Sequence, residues 1–480
     1  MDAEMRINME KKNTWETYSS KQLKELEKIN AQYRDFLDNG KTERECIDTI
    51  VNTIEKSGYR ELESLIKEGT ALKTGDKVYS VWMNKSIAMF QIGRKPMTEG
   101  MNILGAHIDS PRLDVKQNPL YEDGGFAYLD THYYGGVKKY QWVTIPLAIH
   151  GVIVKKDGTC VEINIGENED DPVFFVSDLL IHLAQEQLEK KAAKVIEGEA
   201  LDIIVGNKPL LIDKKDKKKD EKEAGKEAVK AGVLNILKET YDIHEEDFVS
   251  AELEIVPAGK AREAGFDRSM ILAYGQDDRV CAYTSMQAML DSDVTDRTMC
   301  CILVDKEEIG SVGATGMQSH FFENAVAEVM NLTGEYSELH VRRCLAHSCM
   351  LSSDVSSAFD PTYASSFDKK NVAYLGGGMV INKFTGARGK SGSNDANAEY
   401  LAHLRHIFDK AEVNFQTAEL GKVDLGGGGT IAYILALYGM NVIDSGVAVL
   451  NMHAPWEATS KADVYETYRG YKAFVEGASL

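Results

Sequence analysis

The chain lacks any long apolar run and any excess of positive charge, and each absence excludes a class of protein. No segment of the 480 residues reaches the roughly 18 consecutive apolar positions that a membrane-spanning helix needs. Lys and Arg number 55 against 75 Asp and Glu, for a net charge of −20. This balance argues against binding to nucleic acid or to anionic membranes. We therefore predict a protein with no nucleic-acid and no membrane partner.

Paired cysteines and an apolar leader are also missing. The 7 cysteines are scattered, and none form a Cys-x-x-Cys pair. Cys281, Cys300 and Cys301 lie in apolar surroundings, which is typical of small core residues in a reducing compartment. Residues 1–14 are charged and polar, without the apolar core of a signal peptide. These features predict a cytoplasmic protein, and its length predicts two domains.

What the chain does have is a pair of adjacent carboxylates at an informative position. Glu307 and Glu308 follow the apolar run from Cys301 to Val304 and precede Gly310. This pattern predicts a buried parallel strand ending in a loop, at the edge where open α/β sheets usually build their sites. Adjacent carboxylates repel each other and are costly to desolvate, so a pair there favours a cation. Taken alone, two adjacent glutamates after a strand are more often solvated charges in a loop than a metal site.

Other candidate ligands follow apolar runs elsewhere in the chain. Asp109, two residues after His107, is placed to accept the second ring N–H of that histidine. Nitrogen and oxygen ligands without thiolate suit zinc, cobalt or manganese in an open catalytic site. Two such ions need a bridging carboxylate and a shared water. In chain order, the candidate set is His107, Asp277, Glu307, Glu308, Asp354 and His453.

The pattern of apolar residues predicts an α/β fold with a mostly parallel sheet flanked by helices. A β-rich texture with Gly-rich turns begins near residue 117, and we predict an inserted domain over residues 117–268. Residues 1–116 and 269–480 then form a discontinuous catalytic domain. The Lys-rich segment 214–230 carries interleaved acids and predicts a solvated excursion. We predict helices over residues 21–37, 42–56, 277–290, 320–332, 399–411 and 430–438, with strands over 142–147, 148–154, 252–258 and 299–304.

Two of these motifs resemble the aspartyl aminopeptidase family. They are Gly-Ala-His-Ile-Asp-Ser-Pro at residues 105–111 and Glu-Glu-Ile-Gly-Ser at residues 307–311. The resemblance extends from Gly105 to His453 and covers nearly the whole chain. It implies a cocatalytic dizinc metallo-aminopeptidase of zinc exopeptidase-like fold, whose catalytic domain is interrupted by a dimerisation domain. Such an enzyme removes single N-terminal residues from peptides.

The resemblance also implies roles for individual residues. His107 and Asp354 would hold one ion, Glu308 and His453 the other, and Asp277 would bridge them. The ions would be Zn²⁺, with Co²⁺ or Mn²⁺ possible on the same ligands. Glu307 would act as general base on the metal-activated water, and Asp109 would orient His107.

Further roles concern substrate binding and self-association. Gly429 and Thr430 would offer backbone groups to the substrate, although simple helix capping explains the same residues. The Gly-rich segment lacks the Gly-Lys-[Ser/Thr] sequence of a nucleotide-binding loop. His182, on an apolar stretch that otherwise suggests a core histidine, would reach into the active site of a partner subunit. The resemblance thus implies dimers, and a larger cage-like assembly such as a dodecamer.

Preference for N-terminal Asp or Glu requires a cation in the specificity pocket. Lys383 is the candidate, with Arg388 and Lys390 nearby, but it is displaced by one residue from the family pattern. On a strand such a shift turns a side chain to the other face, so acidic specificity stays open. A dizinc carboxypeptidase or N-deacylase is the alternative enzyme. A third hypothesis is a non-catalytic binding protein that keeps the fold, and it predicts that metal-ligand residues have been replaced.

Overall fold

The computed structural model describes residues 13–210 and 227–479. Residues 214–226, most of the Lys-rich excursion predicted over residues 214–230, therefore lie outside the described residues. Backbone contacts divide the chain into two compact units. The first comprises the chain up to Ser110, Ala261–Met452 and the chain from Trp456. The second comprises Pro111–Lys260 and His453–Pro455.

A mixed sheet is the centre of the first unit. Its central strands run parallel to one another, whereas Ser86–Gln91 and Met379–Asn382 pair antiparallel with their inner neighbours. The α/β class is thus confirmed, and the sheet is parallel at its middle and mixed toward its edges. Among the described residues it has nine strands, in the order Arg60–Glu61, Lys77–Trp82, Ser86–Gln91, Thr298–Val304, Met101–His107, Cys349–Ser353, Asn441–Gly446, Met379–Asn382 and Phe415–Thr417.

Both faces of this sheet are covered by apolar cores. In the Met101–His107 strand, Leu104 and Ala106 belong to one cluster, and Met101 and Ile103 belong to the other. A strand buried on both faces has no polar alternation, which is why it appears in the sequence as a continuous apolar run. Helices Ser20–Asn39, Glu43–Lys56, Gln276–Leu290, Ala398–Lys410 and Lys461–Gly477 supply one core, and Leu62–Glu68, Phe321–Leu332, Glu338–Ala346 and Ala432–Ala436 supply the other.

Local sequence explains where the first helices begin. Ser19 and Thr42 each form a capping box, with Gln22 and Glu45 three residues later. The predicted helix over residues 430–438 is shorter than expected, because regular structure is confined to Ala432–Ala436. No helix within 13–210 or 227–479 is long and apolar enough to cross a membrane.

A smaller sheet completes the first unit and fixes one of its boundaries. Its strands are Arg262–Ala264, Met270–Ala273, Glu457–Ser460, Ala448–Leu450 and Ser356–Ser357. Met270–Ala273 pairs antiparallel with Glu457–Ser460, close to the C-terminal helix. Because this pairing binds residues after 260 to the first unit, that unit resumes at Ala261 rather than at the predicted 269.

The second unit is built on a six-stranded antiparallel sheet. It begins at Pro111 rather than at 117, because Arg112–Asp123 is already a strand of this sheet. The predicted strand over residues 142–147 is wrong: Trp142 is fully buried after the turn Lys139–Gln141, and the strand starts only at Leu147. The strand order is Cys160–Ile165, Leu147–Val154, Ala251–Pro257, Arg112–Asp123, Phe126–Tyr134 and Ile203–Gly206, with helices Gln185–Leu188, Ala192–Val195 and Ala228–Tyr241.

Candidate metal centre

The carboxyl ends of neighbouring parallel strands bring several candidate ligands to one edge of the large sheet. His107 ends one strand, and Val304, its register partner, ends the next. Glu307 and Glu308 follow in a short 3₁₀ turn, Glu307–Ile309. Asp354 directly follows the strand Cys349–Ser353 on the other side. The sheet therefore gathers residues that are almost 250 positions apart in the sequence.

Two overlapping groups of side chains have ligand atoms within 4.8 Å of one another. One consists of His107, Asp277 and Glu308, and the other of His107, Asp278 and Asp354. Asp278 was not predicted as a ligand, although the acidic pair it forms with Asp277 is visible in the sequence. Both residues have non-helical φ and ψ at the start of the helix Gln276–Leu290. Adjacent carboxylates can therefore belong to different groups.

Asp109 organises both the histidine and the acidic turn. Its carboxylate oxygens accept hydrogen bonds from the backbone N–H groups of Glu307 and Glu308, each at 3.1 Å. Oδ1 also lies 3.3 Å from Nδ1 of His107, and the Asp109 carbonyl oxygen lies 3.0 Å from the same nitrogen. The predicted contact with His107 is present. The contacts with the turn were not predicted, because no local pattern couples residues 109 and 307.

Glu307 is partly exposed and lies close to His107. Its side chain is 15% exposed, whereas that of His107 is 2% exposed. Glu307 Oε2 lies 3.9 Å from His107 Nε2, and Asp277 Oδ1 lies 3.3 Å from the same nitrogen. Glu307 therefore combines partial exposure with a position close to the ligand atoms.

Burial shifts the pKa values of the side chains in this cluster. Desolvation raises the pKa of Asp278 well above its usual value, with a further increase from Asp277. Burial likewise raises the pKa of Asp354, helped by the carboxylates of Asp278 and Glu307. Burial lowers the pKa of His107, but hydrogen bonds to Asp109 and Asp277 outweigh it and leave the pKa well above its ordinary value.

The donor set fits divalent cations. Several carboxylates face one imidazole in a space that excludes most water, so they repel one another unless cations balance them. Within the described part of the chain, Asp278 Oδ1 is buried without a hydrogen-bond partner. Oxygen and imidazole donors without thiolate match zinc in an open catalytic site.

The remaining predicted residues lie outside these two groups. His453 Nδ1 is 3.0 Å from the carbonyl oxygen of Gly136 in the second unit. His182 lies in the 3₁₀ turn Ile181–Leu183 of the second unit and is exposed rather than buried in a core. Of the five predicted ligands, the two groups therefore contain His107, Asp277, Glu308 and Asp354, but not His453.

Thr430, one of the residues expected to contact substrate, binds a buried acid. Thr430 Oγ1 donates to Asp444 Oδ1 at 2.5 Å and accepts from the N–H of Ala432 at 3.2 Å. Thr430 thus accepts from the first N–H of the helix Ala432–Ala436, a contact of the kind that the capping explanation predicts, although the N-cap residue itself is Ile431. Burial raises the pKa of Asp444 to about 7, and the hydrogen bond from Thr430 partly offsets that increase. Gly429 and Lys383 are both exposed.

A buried histidine surrounded by carboxylates at the edge of an α/β sheet has the donor set of an open catalytic metal site. Residues 36–475 match the family model described as aminopeptidase I zinc metalloprotease (M18). The chain belongs to the M18 peptidase family, so the resemblance to aspartyl aminopeptidases is confirmed and the protein is a zinc metallo-aminopeptidase.

Similar proteins agree in both sequence and structure. A probable M18 family aminopeptidase 1 of Clostridium acetobutylicum is 63% identical over 97% of this chain and 98% of its own length. The crystal structure of aminopeptidase I from C. acetobutylicum has a TM-score of 0.88 at 61% identity, covering 97% of this chain and 98% of that one. A crystal structure of an M18 aminopeptidase from Thermotoga maritima has a TM-score of 0.91 at 44% identity, covering 98% and 100%.

Proposed function

We propose that this metallo-aminopeptidase removes one N-terminal residue at a time from peptides, using two divalent ions per chain. The observation that carries this proposal is the pair of overlapping ligand groups that share His107. Each group has its own pair of carboxylates, Asp277 with Glu308 in one and Asp278 with Asp354 in the other. Two such pairs support two cations, of which His107 would bind one. Zinc is the family's metal, and Co²⁺ or Mn²⁺ suit the same oxygen and nitrogen donors.

We propose that His107 and Asp354 hold one ion and that Glu308 and His453 hold the other, with Asp277 between them. Three of these side chains share a group with His107 in the structure. Asp278 is an additional carboxylate in the group of Asp354 and would help to balance the charge of the first ion. Zinc supplies Lewis acidity and lowers the pKa of a water molecule.

In this mechanism the chain's own carboxylates move the proton. Glu307 accepts a proton from the attacking water and later donates it to the amine that leaves. Its position beside the ligands and its partial exposure suit that role. Asp109 fixes the turn that carries Glu307, so the base and the ligand histidine are held by the same side chain.

Acidic specificity is the finer part of the proposal. Lys383 is an exposed cation that directly follows the strand Met379–Asn382, in the loop whose Gly386 N–H donates to the carbonyl oxygen of Gly428. An ammonium group there can pair with the side chain of an N-terminal Asp or Glu. Gly429 and Thr430 are proposed to offer backbone groups to the same peptide, in addition to the capping contact of Thr430.

We propose that the second unit is a dimerisation domain, in a cytoplasmic enzyme whose subunits assemble further. The unit exposes a run of large apolar side chains, including Leu179, Leu180, Ile181 and Leu183, which are 47% to 68% exposed. Contiguous apolar exposure of this kind is typical of a protein contact. One solved relative, S. cerevisiae mApe1, is described as a dodecamer, at 20% identity.

His182 lies within this exposed run, which supports a role in the active site of a second copy. Because the imidazole would then act across the contact, His182→Ala should abolish most turnover and leave the zinc content unchanged. Mixing His182→Ala subunits with Glu307→Gln subunits should restore part of the activity, since hybrid pairs contain one complete site. Failure of every mixture to regain activity, despite proven subunit exchange, would remove the proposed role.

The aminopeptidase proposal itself is tested with paired peptides that differ only at the N-terminus. A free α-amino group should be required, so an N-acetylated peptide should be hydrolysed at least about 100-fold more slowly, because a site built for a polar group rejects analogues that lack it. Product analysis should show residues released in order from the N-terminus. Comparable hydrolysis of the acetylated peptide would favour the carboxypeptidase or deacylase alternative.

A further inference from the structure

A fully buried arginine lies two residues after Asp277, on the same helix. Arg279 has 0% exposure and is one of the largest fully buried side chains in the described chain. Its Nη1 donates to the carbonyl oxygen of Gly40 at 2.8 Å, and its Nη2 donates to Ser110 Oγ at 3.0 Å. A buried guanidinium is costly unless its environment uses the charge and the donors.

The contact with Ser110 fixes the direction of a second hydrogen bond. A guanidinium has no acceptor, so Ser110 Oγ must accept from it. The single proton of the hydroxyl is then available for the carbonyl oxygen of Asp277, which lies 2.7 Å away. Arg279 therefore acts on the backbone of Asp277 through one intermediate side chain.

The other side of the same residue is held as well. The backbone N–H of Asp277 donates to Glu457 Oε2 at 3.0 Å, and Glu457 is 1% exposed. The peptide groups before and after the Asp277 Cα are thus both anchored by buried side chains. This matters because Asp277 and Asp278 have non-helical backbone angles, so the regular helix ladder does not set their orientation.

The space around the guanidinium suits arginine. The guanidinium carbon lies 4.9 Å from the centroid of the Tyr274 ring. At Gly275, an added Cβ would come within 2.2 Å of Arg279 Nη2 and 2.9 Å of Ser110 Oγ, and φ there is +67°. Only glycine leaves room for the two hydrogen-bonded groups. A lysine could not keep both donor directions, because its ammonium is a point charge on a flexible stem.

We infer that Arg279 is a positioning residue for the metal centre. Through Ser110, it holds Asp277 in the orientation that binds metal. The inference rests on the proposed metal centre and concerns a residue that does not itself contact the metal groups. It also links the turn between the first two long helices, through Gly40, to the bridging carboxylate.

The test measures zinc affinity of the full-length protein by competition with a chromogenic chelator, together with the melting temperature of the metal-free form. Arg279→Met and Ser110→Ala should each weaken zinc binding about 10- to 100-fold, the usual effect of removing an outer-shell partner. The double variant should be about as weak as the weaker single variant, because both act on one relay. Arg279→Lys should recover part of the loss.

Arg297 provides the matched control. It is also a buried arginine of the first unit, and it donates to the carbonyl oxygens of Gly100 and His347. Arg297→Met should lower the melting temperature while leaving zinc affinity unchanged. If Arg279→Met does not fold, Ser110→Ala carries the test, since it removes a single oxygen atom.

The outcomes separate the inference from the proposed function. Wild-type zinc affinity in folded Arg279→Met and Ser110→Ala proteins would overturn the positioning role while leaving the metal centre intact. An equal loss of zinc affinity in Arg297→Met would show that general destabilisation, not the relay, is responsible. Absence of zinc binding by the wild-type protein would overturn the metal centre, and the inference with it.

Discussion

Replacing Glu307 by Gln should leave the protein loaded with zinc but lower kcat about 10²- to 10⁴-fold, the usual contribution of a general base. The glutamine amide cannot accept the proton of the attacking water. The substitution keeps the shape of the side chain and the backbone N–H contact to Asp109. Affinity for peptide should change little, because the base acts mainly in the transition state.

Glu308 is the natural comparison, since it lies next to Glu307 in the same turn. Glu308→Gln should weaken zinc binding, because this side chain belongs to a ligand group with His107 and Asp277. Metal content by elemental analysis and steady-state kinetics distinguish the two variants. Near-normal kcat in zinc-loaded Glu307→Gln would show that another group is the base.

Replacing Asp109 by Asn should weaken both metal binding and turnover. The carboxylate accepts from the N–H groups of Glu307 and Glu308 and lies beside His107 Nδ1. An amide has only one acceptor oxygen, so its NH₂ group would face one of these two N–H donors. We expect zinc affinity to fall about 10- to 100-fold, with a further loss of kcat because the turn that carries Glu307 shifts.

Asp463 offers a control of the same chemistry. It is fully buried in the first unit and accepts from two backbone N–H groups, those of Gly376 and Gly378, each at 2.8 Å. Asp463→Asn should reduce stability without changing zinc affinity. If both variants lose zinc to the same degree, the effect of Asp109 is structural damage. If Asp109→Asn keeps full zinc affinity and kcat, its positioning role is wrong.

The features predicted best from the sequence are those that depend on short apolar runs and on the residues that end them. His107 and Glu308 follow runs that proved to be adjacent parallel strands, and the sheet brought them together as expected. The helices with strong caps, such as Glu43–Lys56, also lie where the pattern predicted. A continuous apolar strand buried on both faces is a distinctive pattern, because few other elements need it.

What the sequence could not show depends on contacts between distant segments. The hydrogen bonds from Glu307 and Glu308 to Asp109 join residues almost 200 positions apart. The division of Asp277 and Asp278 between two groups follows from local backbone angles that no helix pattern indicates. The boundary at Ala261 was missed because a short strand pairing near the C-terminus decides it.

The most direct test of the account is to return zinc stepwise to metal-free protein while measuring bound metal and hydrolysis of an N-terminally free peptide. The account predicts that turnover rises to its full value as two zinc ions bind per chain, and that Glu307→Gln binds the same two ions with little turnover. Full turnover with one ion bound, or with none, would contradict the two-ion centre.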